Sequence, residues 1–284
     1  MEKFSKITNR LRLPLKIPDA SYLQDHRFEG RTVLPAVEAM QILALTTKAY
    51  LPKTDIHLIH DARFDKFLYI DSENRSFNAF NAIQVDENGA IHAKLITKTG
   101  SSKTTITRVK EHVSLTFGIT TPHKQPLFKK NYNRDPPYMI STSRLYKDLV
   151  PFGPDFQNIK KLYLYKDSVE ATIKSAMSGS TGPEPLGSPF PLDAAFHAAC
   201  AWGQRYADVV AFPVGFDHRR IINPTYCGET YKAQIKFVQT EKTALIFDIN
   251  IYSSNGDLCE MLKGVCMRDV SAGRMKPPLW IKSS

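Results

Sequence analysis

Apolar residues along this chain fall into two periods, helical and strand-like, and the two alternate in the same order twice. Residues 35–51 carry Val37, Met40, Ile42, Leu43 and Leu45, interleaved with Ala36, Ala39 and Ala44. That spacing predicts a helix opened by Pro35, since a proline in the first turn gives up no hydrogen bond. Strand-like segments follow at 57–70, 76–85, 90–97 and 104–117, with Asn88-Gly89 as a hairpin turn between the second and third. A second helix, rich in alanine and aromatic residues and opened by Pro189 and Pro191, is predicted over 192–209. Strands are then predicted at 229–239, 244–252 and 257–267, with Asn255-Gly256 turning the chain into the last.

The repetition is an organisational signal. Gly89 and Gly256 are 167 residues apart, and Pro35 and Pro191 are 156 apart. A duplicated unit with small insertions gives such similar offsets. Each unit is one long helix followed by an antiparallel meander, and a sheet with one apolar face buries such a helix by curling around it. The expected fold is therefore α+β, a double hotdog. Its units are residues 1–120 and 141–284, joined by a Pro- and Lys-rich linker at 121–140. A second irregular stretch, 178–189, is expected to loop over a pocket. Residues 151–157 read as a rigid turn leading into a strand at 158–165.

Composition narrows the class. The chain is 42% hydrophobic and 11% aromatic, which is ample for a core and excludes wholesale disorder. No apolar run is long enough to span a bilayer, and the first residues lack the apolar core of a secretory signal. Cys200, Cys227, Cys259 and Cys266 show no paired metal spacing and read as reduced thiols of a cytoplasmic protein. The net charge of +10 favours an acidic partner. The basic residues are dispersed, with only short clusters such as Lys129-Lys130 and Arg219-Arg220, and no nucleic-acid motif accompanies them. Neither nucleic acid nor a membrane is expected as a partner.

The candidate chemistry lies beside the two helix starts. His26 precedes Gly30 and Pro35, and an imidazole titrating near neutral pH can take a proton from carbon next to an activated carbonyl. Asp193 stands in the first turn of the second helix. There the helix dipole lowers a carboxyl pKa and an apolar pocket raises it. His197 shares its helix face. Phe196 and Trp202 read as core. His57, His60, His92, His112, His123 and His218 show no metal-ligand spacing, and the chain has no phosphate loop or nucleophile elbow.

Three ordered motifs resemble the dehydratase domain of polyketide synthases and related fatty acid synthases. His26, Gly30 and Pro35 match HxxxGxxxxP. Phe152-Gly153-Pro154-Asp155-Phe156 matches YGPxF with Phe in place of Tyr, and Asp193 to His197 matches the His form of DxxxQ/H. Phe212 to Asp217 is similar to the short Leu-Pro segment that follows in the family. The resemblance covers nearly the whole chain and implies conversion of a 3-hydroxyacyl thioester to the 2-enoyl thioester and water. On that analogy His26 removes the α-proton, Asp193 protonates the leaving hydroxyl, and His197 orients Asp193. Backbone N–H groups of Gly30 and Val33 are the candidates for the thioester oxygen. Pro35, Phe152, Gly153, Pro154 and Phe156 are expected to wall the pocket. No metal or organic cofactor is implied, because the thioester itself acidifies the α-carbon. The substrate would arrive on the phosphopantetheine of an acidic acyl carrier protein, which would explain the basic balance, and a homodimer is implied. The chain begins at Met and has the length of one such domain, which fits a free-standing enzyme acting in trans and an excised domain alike. Isomerisation or cyclisation on the same scaffold, and a non-catalytic carrier-binding module, are the alternative readings.

Overall fold

The computed structural model describes residues 7–17, 20–70, 78–101, 104–118, 136–177 and 184–282. Two long helices, α1 (Ala36–Tyr50) and α3 (Phe190–Tyr206), are each cradled by sheet. The N-terminal strands are β1 (Ile7–Leu15), β4 (Leu58–Phe64), β5 (Asn78–Asp86), β6 (Ile91–Ser101) and β7 (Thr104–Phe117), with a small ribbon of β2 (Arg27–Phe28) and β3 (Arg31–Thr32) ahead of α1. The second half contributes β8 (Tyr138–Ile140), a short helical turn α2 (Thr142–Arg144), β9 (Ile159–Leu164), β10 (Ser168–Lys174), β11 (Phe212–Ile221), β12 (Thr230–Glu241), β13 (Ala244–Ser253) and β14 (Leu258–Arg268). The fold is the double hotdog expected from the repeat.

One sheet of twelve strands runs through both halves in the order β1-β5-β6-β7-β4-β11-β14-β13-β12-β10-β9-β8. Every pairing in it is antiparallel, and the halves are sewn together where β4 pairs with β11, Phe216 opposite Ala62 and Arg219 opposite Ile59. Beside this seam Arg219 and Glu260 form a buried ion pair, with Nη2 2.7 Å from Oε2. A single core of buried residues is continuous across both halves and includes Met40, Leu43, Phe117, Phe190 and Phe247.

The two helices are buried differently, and their sequences show why. α3 carries Ala194, Ala195, Ala198, Ala199 and Ala201, all fully buried, and is apolar nearly all round, so the sheet can close on it from every side. α1 keeps a wet edge, with Leu45 and Tyr50 exposed.

Several boundaries differ from the sequence expectation. The strand expected at 57–70 stops at Phe64. Its pairing with β7 is broken by a bulge between His60 and Arg63, where Asp61 takes a φ of +51°. Residues 65–70 then leave the sheet and pass in front of the first helix, where Leu34 N–H donates to the Leu68 carbonyl at 2.9 Å. α3 begins at Phe190 and ends at Tyr206, short of the expected 209. Strands β1, β10 and β11 were not anticipated. β11 starts with Pro213 and Gly215, and it tolerates both because a register shift against β14 falls between them. The expected linker lies mostly outside the described residues, and its last three residues form β8, paired with β9. Of the loop at 178–189, residues 178–183 and with them its proposed cover lie outside the described residues.

Candidate active site

His26 is fixed from both sides by backbone. It follows a single 3-10 turn, Ser21–Asp25, and leads into the β2–β3 ribbon, whose tight turn needs the φ of +79° that Gly30 supplies. Its Nδ1 lies 2.9 Å from the Val33 carbonyl. A carbonyl only accepts, so Nδ1 carries the hydrogen and Nε2 is left with its lone pair. Val33 N–H in turn donates to the His26 carbonyl at 3.0 Å.

The FGPDF loop is tethered to the residue before this histidine. Gly153 N–H donates to the Asp25 carbonyl at 2.8 Å, and Asp155 N–H donates to Asp25 Oδ2 at 2.9 Å. Any Cβ at Gly153 would fall on the Asp25 carboxyl, so the close approach requires glycine there. The docking places Phe152 between two imidazoles. Its ring stacks on His26 with centroids 4.5 Å apart and planes at 11°, and on His197 at 4.9 Å and 27°.

Asp193 and His197 come from the other half, one turn apart on α3. His197 Nε2 is 3.0 Å from Asp193 Oδ2, and both side chains are buried. This is a close contact without good alignment. Asp193 Oδ2 and both His197 nitrogens lack an aligned hydrogen-bond partner among the described residues. Buried polar atoms left unsatisfied at a cavity wall are groups awaiting a ligand or water.

A cavity of about 370 Å³ brings these residues together. His26, Val33, Phe152, Asp193 and His197 line it, along with apolar residues of both halves. Its rim carries the exposed Asp65 and Lys66 and the partly exposed Phe67, Tyr69 and Phe212. The electrostatics follow from enclosure. What remains open of His26 faces this enclosed space, so desolvation pulls its pKa below the usual 6.5, only partly countered by the charge of Asp193. Burial by itself pushes the Asp193 carboxyl up, but the imidazoles of His197 and His26 outweigh it and bring the carboxyl below its usual value.

The structure brings together four of the expected site residues, His26, Asp193, His197 and Phe152, and revises others. Val33 lines the cavity, but its N–H is already spent on the His26 carbonyl, so it holds the His26 segment in place and is not free for a substrate oxygen. Gly30 shapes the ribbon turn and stands outside the cavity wall. Pro35 caps α1, Gly153 and Pro154 dock the loop, and none of the three lines the cavity. Phe156 is buried behind Phe152, packed on Tyr22 and Phe190, and acts as backing. Phe196, expected in the core, lines the cavity, as do Cys200 and His112. Trp202 is core as expected, stacked on Phe237 at 4.4 Å. Of the remaining histidines, His60 and His218 meet across the seam, Nδ1 to Nδ1 at 2.6 Å, and His123 lies outside the described residues.

Residues 134–277, just over half the chain, match the family model of the polyketide synthase dehydratase N-terminal domain. The chain belongs to the polyketide synthase dehydratase family. The matched stretch contains Asp193 and His197, while His26 lies upstream of it. Solved dehydratase domains share the fold along nearly the whole length. The dehydratase domain of RzxB from Pseudomonas fluorescens superposes with a TM-score of 0.71 at 15% identity, covering 92% of this chain and 94% of that one. A trans-AT dehydratase domain from Brevibacillus brevis gives 0.72 at 18%, covering 92% and 93%. The dehydratase domain of PpsC from Mycobacterium tuberculosis gives 0.69 at 19%, covering 91% of each. No curated protein matches the sequence. Family membership assigns the chain to dehydration chemistry in polyketide synthesis. Among the described residues of this dehydratase family member, no helix is long and apolar enough to cross a membrane.

Proposed function

We propose that this protein removes water from a 3-hydroxyacyl thioester to give the 2-enoyl thioester. The observation that carries the reading is one enclosed cavity. It holds a neutral imidazole from one half of the chain and a buried Asp–His pair from the other. His26 Nε2 takes the proton from Cα, and the electron pair left behind forms the Cα=Cβ bond. The Cβ–O bond breaks as the hydroxyl takes a proton from the Asp193–His197 pair and departs as water. The proton on His26 then returns to the pair through released water, which resets both groups.

Depression of the Asp193 pKa refines its role. A carboxyl held low beside an imidazole is a poor reservoir on its own, so the proton to be delivered resides on the Asp193–His197 pair as a unit. The lowered pKa of His26 keeps the base unprotonated at neutral pH. With Val33 N–H occupied and Gly30 outside the wall, the first-turn N–H groups of α1, which have no partner within the helix, take over as candidates for the thioester oxygen, starting at Ala36 on the cavity wall.

The chemistry needs no cofactor, because the thioester acidifies Cα. An acidic acyl carrier protein complements the net charge of +10. Action in the cytoplasm as a homodimer, on chains for polyketides or fatty acids, completes the reading. The experiment supplies 3-hydroxyacyl carrier protein and follows its mass. Loss of one water, abolished by His26→Ala, supports the dehydratase. Movement of a double bond without mass change would instead identify an isomerase. No reaction at any chain length would overturn the reading.

A further inference from the structure

Residues 65–70 form a strap that leaves the sheet after β4 and runs along the rim of the cavity, with Asp65, Lys66, Phe67 and Tyr69 among the lining residues. Its far end pairs with the segment that fixes the base. Leu34 N–H donates to the Leu68 carbonyl at 2.9 Å, and Ile70 N–H donates to the Thr32 carbonyl at 3.0 Å. Between them Val33 stands opposite Tyr69 in an antiparallel bridge. Val33 is the residue whose carbonyl lies 2.9 Å from His26 Nδ1. The strap and the His26 ring therefore hang on the same short piece of backbone.

The near end is held by one residue of β7. The β4–β7 ladder stops at Phe64 opposite Val113, and the next bond runs from Asp65 N–H to the His112 carbonyl at 3.0 Å. Beyond that point a side chain takes over from the ladder. His112 Nδ1 lies 3.1 Å from the Lys66 carbonyl. A carbonyl only accepts, so Nδ1 carries the hydrogen, and Nε2 accepts from the Thr97 hydroxyl at 2.9 Å. His112 and Thr97 are both buried. Desolvation lowers the His112 pKa against the bonds to the backbone of Lys66 and Phe67, and the charges of Lys110 and Lys66 add to the fall. The ring is thus neutral at neutral pH, held in one tautomer, and occupied at both nitrogens, so it is no second base.

The middle of the strap is held by ring contacts, Phe67 on Phe28 at 4.6 Å and the Arg31 guanidinium over Tyr69 at 3.8 Å. Such contacts resist separation but permit sliding, whereas a hydrogen bond to a carbonyl is directional and fixes register. We propose that His112 is a positioning residue for His26. Its Nδ1–H clamps the Lys66 carbonyl and fixes the strap, and the pairing of the strap with residues 32–34 fixes the Val33 carbonyl that aims the imidazole. The inference rests on the dehydratase reading only for the role of His26 as the base. A base displaced by a fraction of an ångström loses rate without loss of fold.

The test compares His112→Leu, which loses both ring bonds, with His112→Asn, whose side-chain N–H can stand where Nδ1–H stood. With a 3-hydroxyacyl pantetheine thioester as substrate, kcat per folded molecule should fall about tenfold in the Leu variant and stay within about threefold in the Asn variant. The second readout is the Nδ1-bound proton of His26 in the NMR spectrum of isotope-labelled protein, assigned by its absence in His26→Ala. Its exchange with water should quicken about tenfold in His112→Leu and keep the wild-type rate in His112→Asn, while the backbone amides of α3 keep their protection in both. A general loss of stability would instead quicken all of them. If His112→Leu does not fold, His112→Gln, whose amide reaches only the Thr97 end, replaces it. A folded Leu variant with wild-type kcat or an unmoved His26 proton, or an Asn variant as impaired as Leu, overturns the proposal. If no thioester reacts with the wild type, the dehydratase reading fails, and the His26 proton decides the proposal separately. Exchange quickened by Leu and restored by Asn upholds it, and exchange indifferent to both overturns it.

Discussion

The two long helices place a carboxylate in the same position and give it opposite surroundings. Glu38 stands in the first turn of α1, and Asp193 in the first turn of α3. Both are almost completely buried. Desolvation raises the Glu38 carboxyl to about 7. The hydrogen bond from the Tyr22 hydroxyl at 2.8 Å opposes this rise, and the negative charges of Glu184 and Asp193 add to it. Asp193 feels the same desolvation, but the imidazoles of His197 and His26 bring it below its usual value. Glu38 is walled off from the cavity, whereas Asp193 lines it. Position in the repeat and depth of burial do not separate these two carboxylates. The charge type of the neighbours and an opening onto a cavity do.

The contrast can be broken most severely at Asp193. Asp193→Asn or His26→Ala should lower kcat by roughly 100- to 10,000-fold, the range of general acid–base catalysis, while thermal melts show a folded protein. Glu38→Gln should leave turnover per folded molecule unchanged. If His26 is the base, as proposed, kcat/KM of the wild type should fall only at pH values more acid than the ordinary histidine range, because desolvation lowers its pKa and the unprotonated ring is the one that accepts the proton.

The next largest effect falls on stability at Glu38. The folded protein holds this proton more tightly than the unfolded chain, whose carboxyl sits near 4.5. Its contribution is therefore fully present below about 4.5 and is lost as pH rises through about 7. Urea unfolding of the wild type should show a decline on the order of a few kcal/mol between pH 5 and 9, and Glu38→Gln should remove most of it.

Phe152 tests the arrangement around the imidazoles. Phe152→Leu abolishes both stacks and should cost about tenfold in kcat/KM, whereas Phe152→Tyr keeps the ring and should stay within a few-fold. A Leu variant as active as wild type would show that the stacks do not position the base. The smallest effect is expected from Tyr22→Phe, which keeps the aromatic packing and loses the bond to Glu38, about 1 kcal/mol by denaturant titration. Combined with Glu38→Gln, the loss should be less than additive, because the two residues share one interaction.

Much of this architecture was legible in the chain. α1 was placed within a residue at each end, because its apolar period and opening proline agree. The hairpins at Gly89 and Gly256 were placed by turn chemistry, and both glycines have positive φ. Of the unanticipated strands, β10 alternates cleanly through Val169, Ala171 and Ile173, whereas β1 and β11 have diluted patterns. β1 is an edge strand with a proline and basic residues, and β11 begins with a proline and a glycine at a bulge. The site divides in the same way. His26, Asp193 and His197 stand out because each occupies a fixed place in one of the ordered motifs, and Asp193 also stands in the first turn of α3. Val33 was misjudged because nothing in sequence reveals that its N–H already has a partner. Cys200 was legible in principle, being seven residues from Asp193 and so on its helix face, but an alanine-rich helix buried all round gives no hint of which face borders empty space.

The β4–β11 seam has a consequence for how the chain can be cut. Backbone hydrogen bonds hold the two halves together there, and the covalent connector joins them elsewhere, running from β7 in the sheet interior to β8 at its far rim. A polypeptide opened within that connector, at a bond between residues 119 and 135, keeps every strand pairing described above. The two fragments, made separately, should recognise each other through β4 and β11 and restore the cavity on mixing. Each fragment alone would display a long unpaired rim and should be prone to self-association.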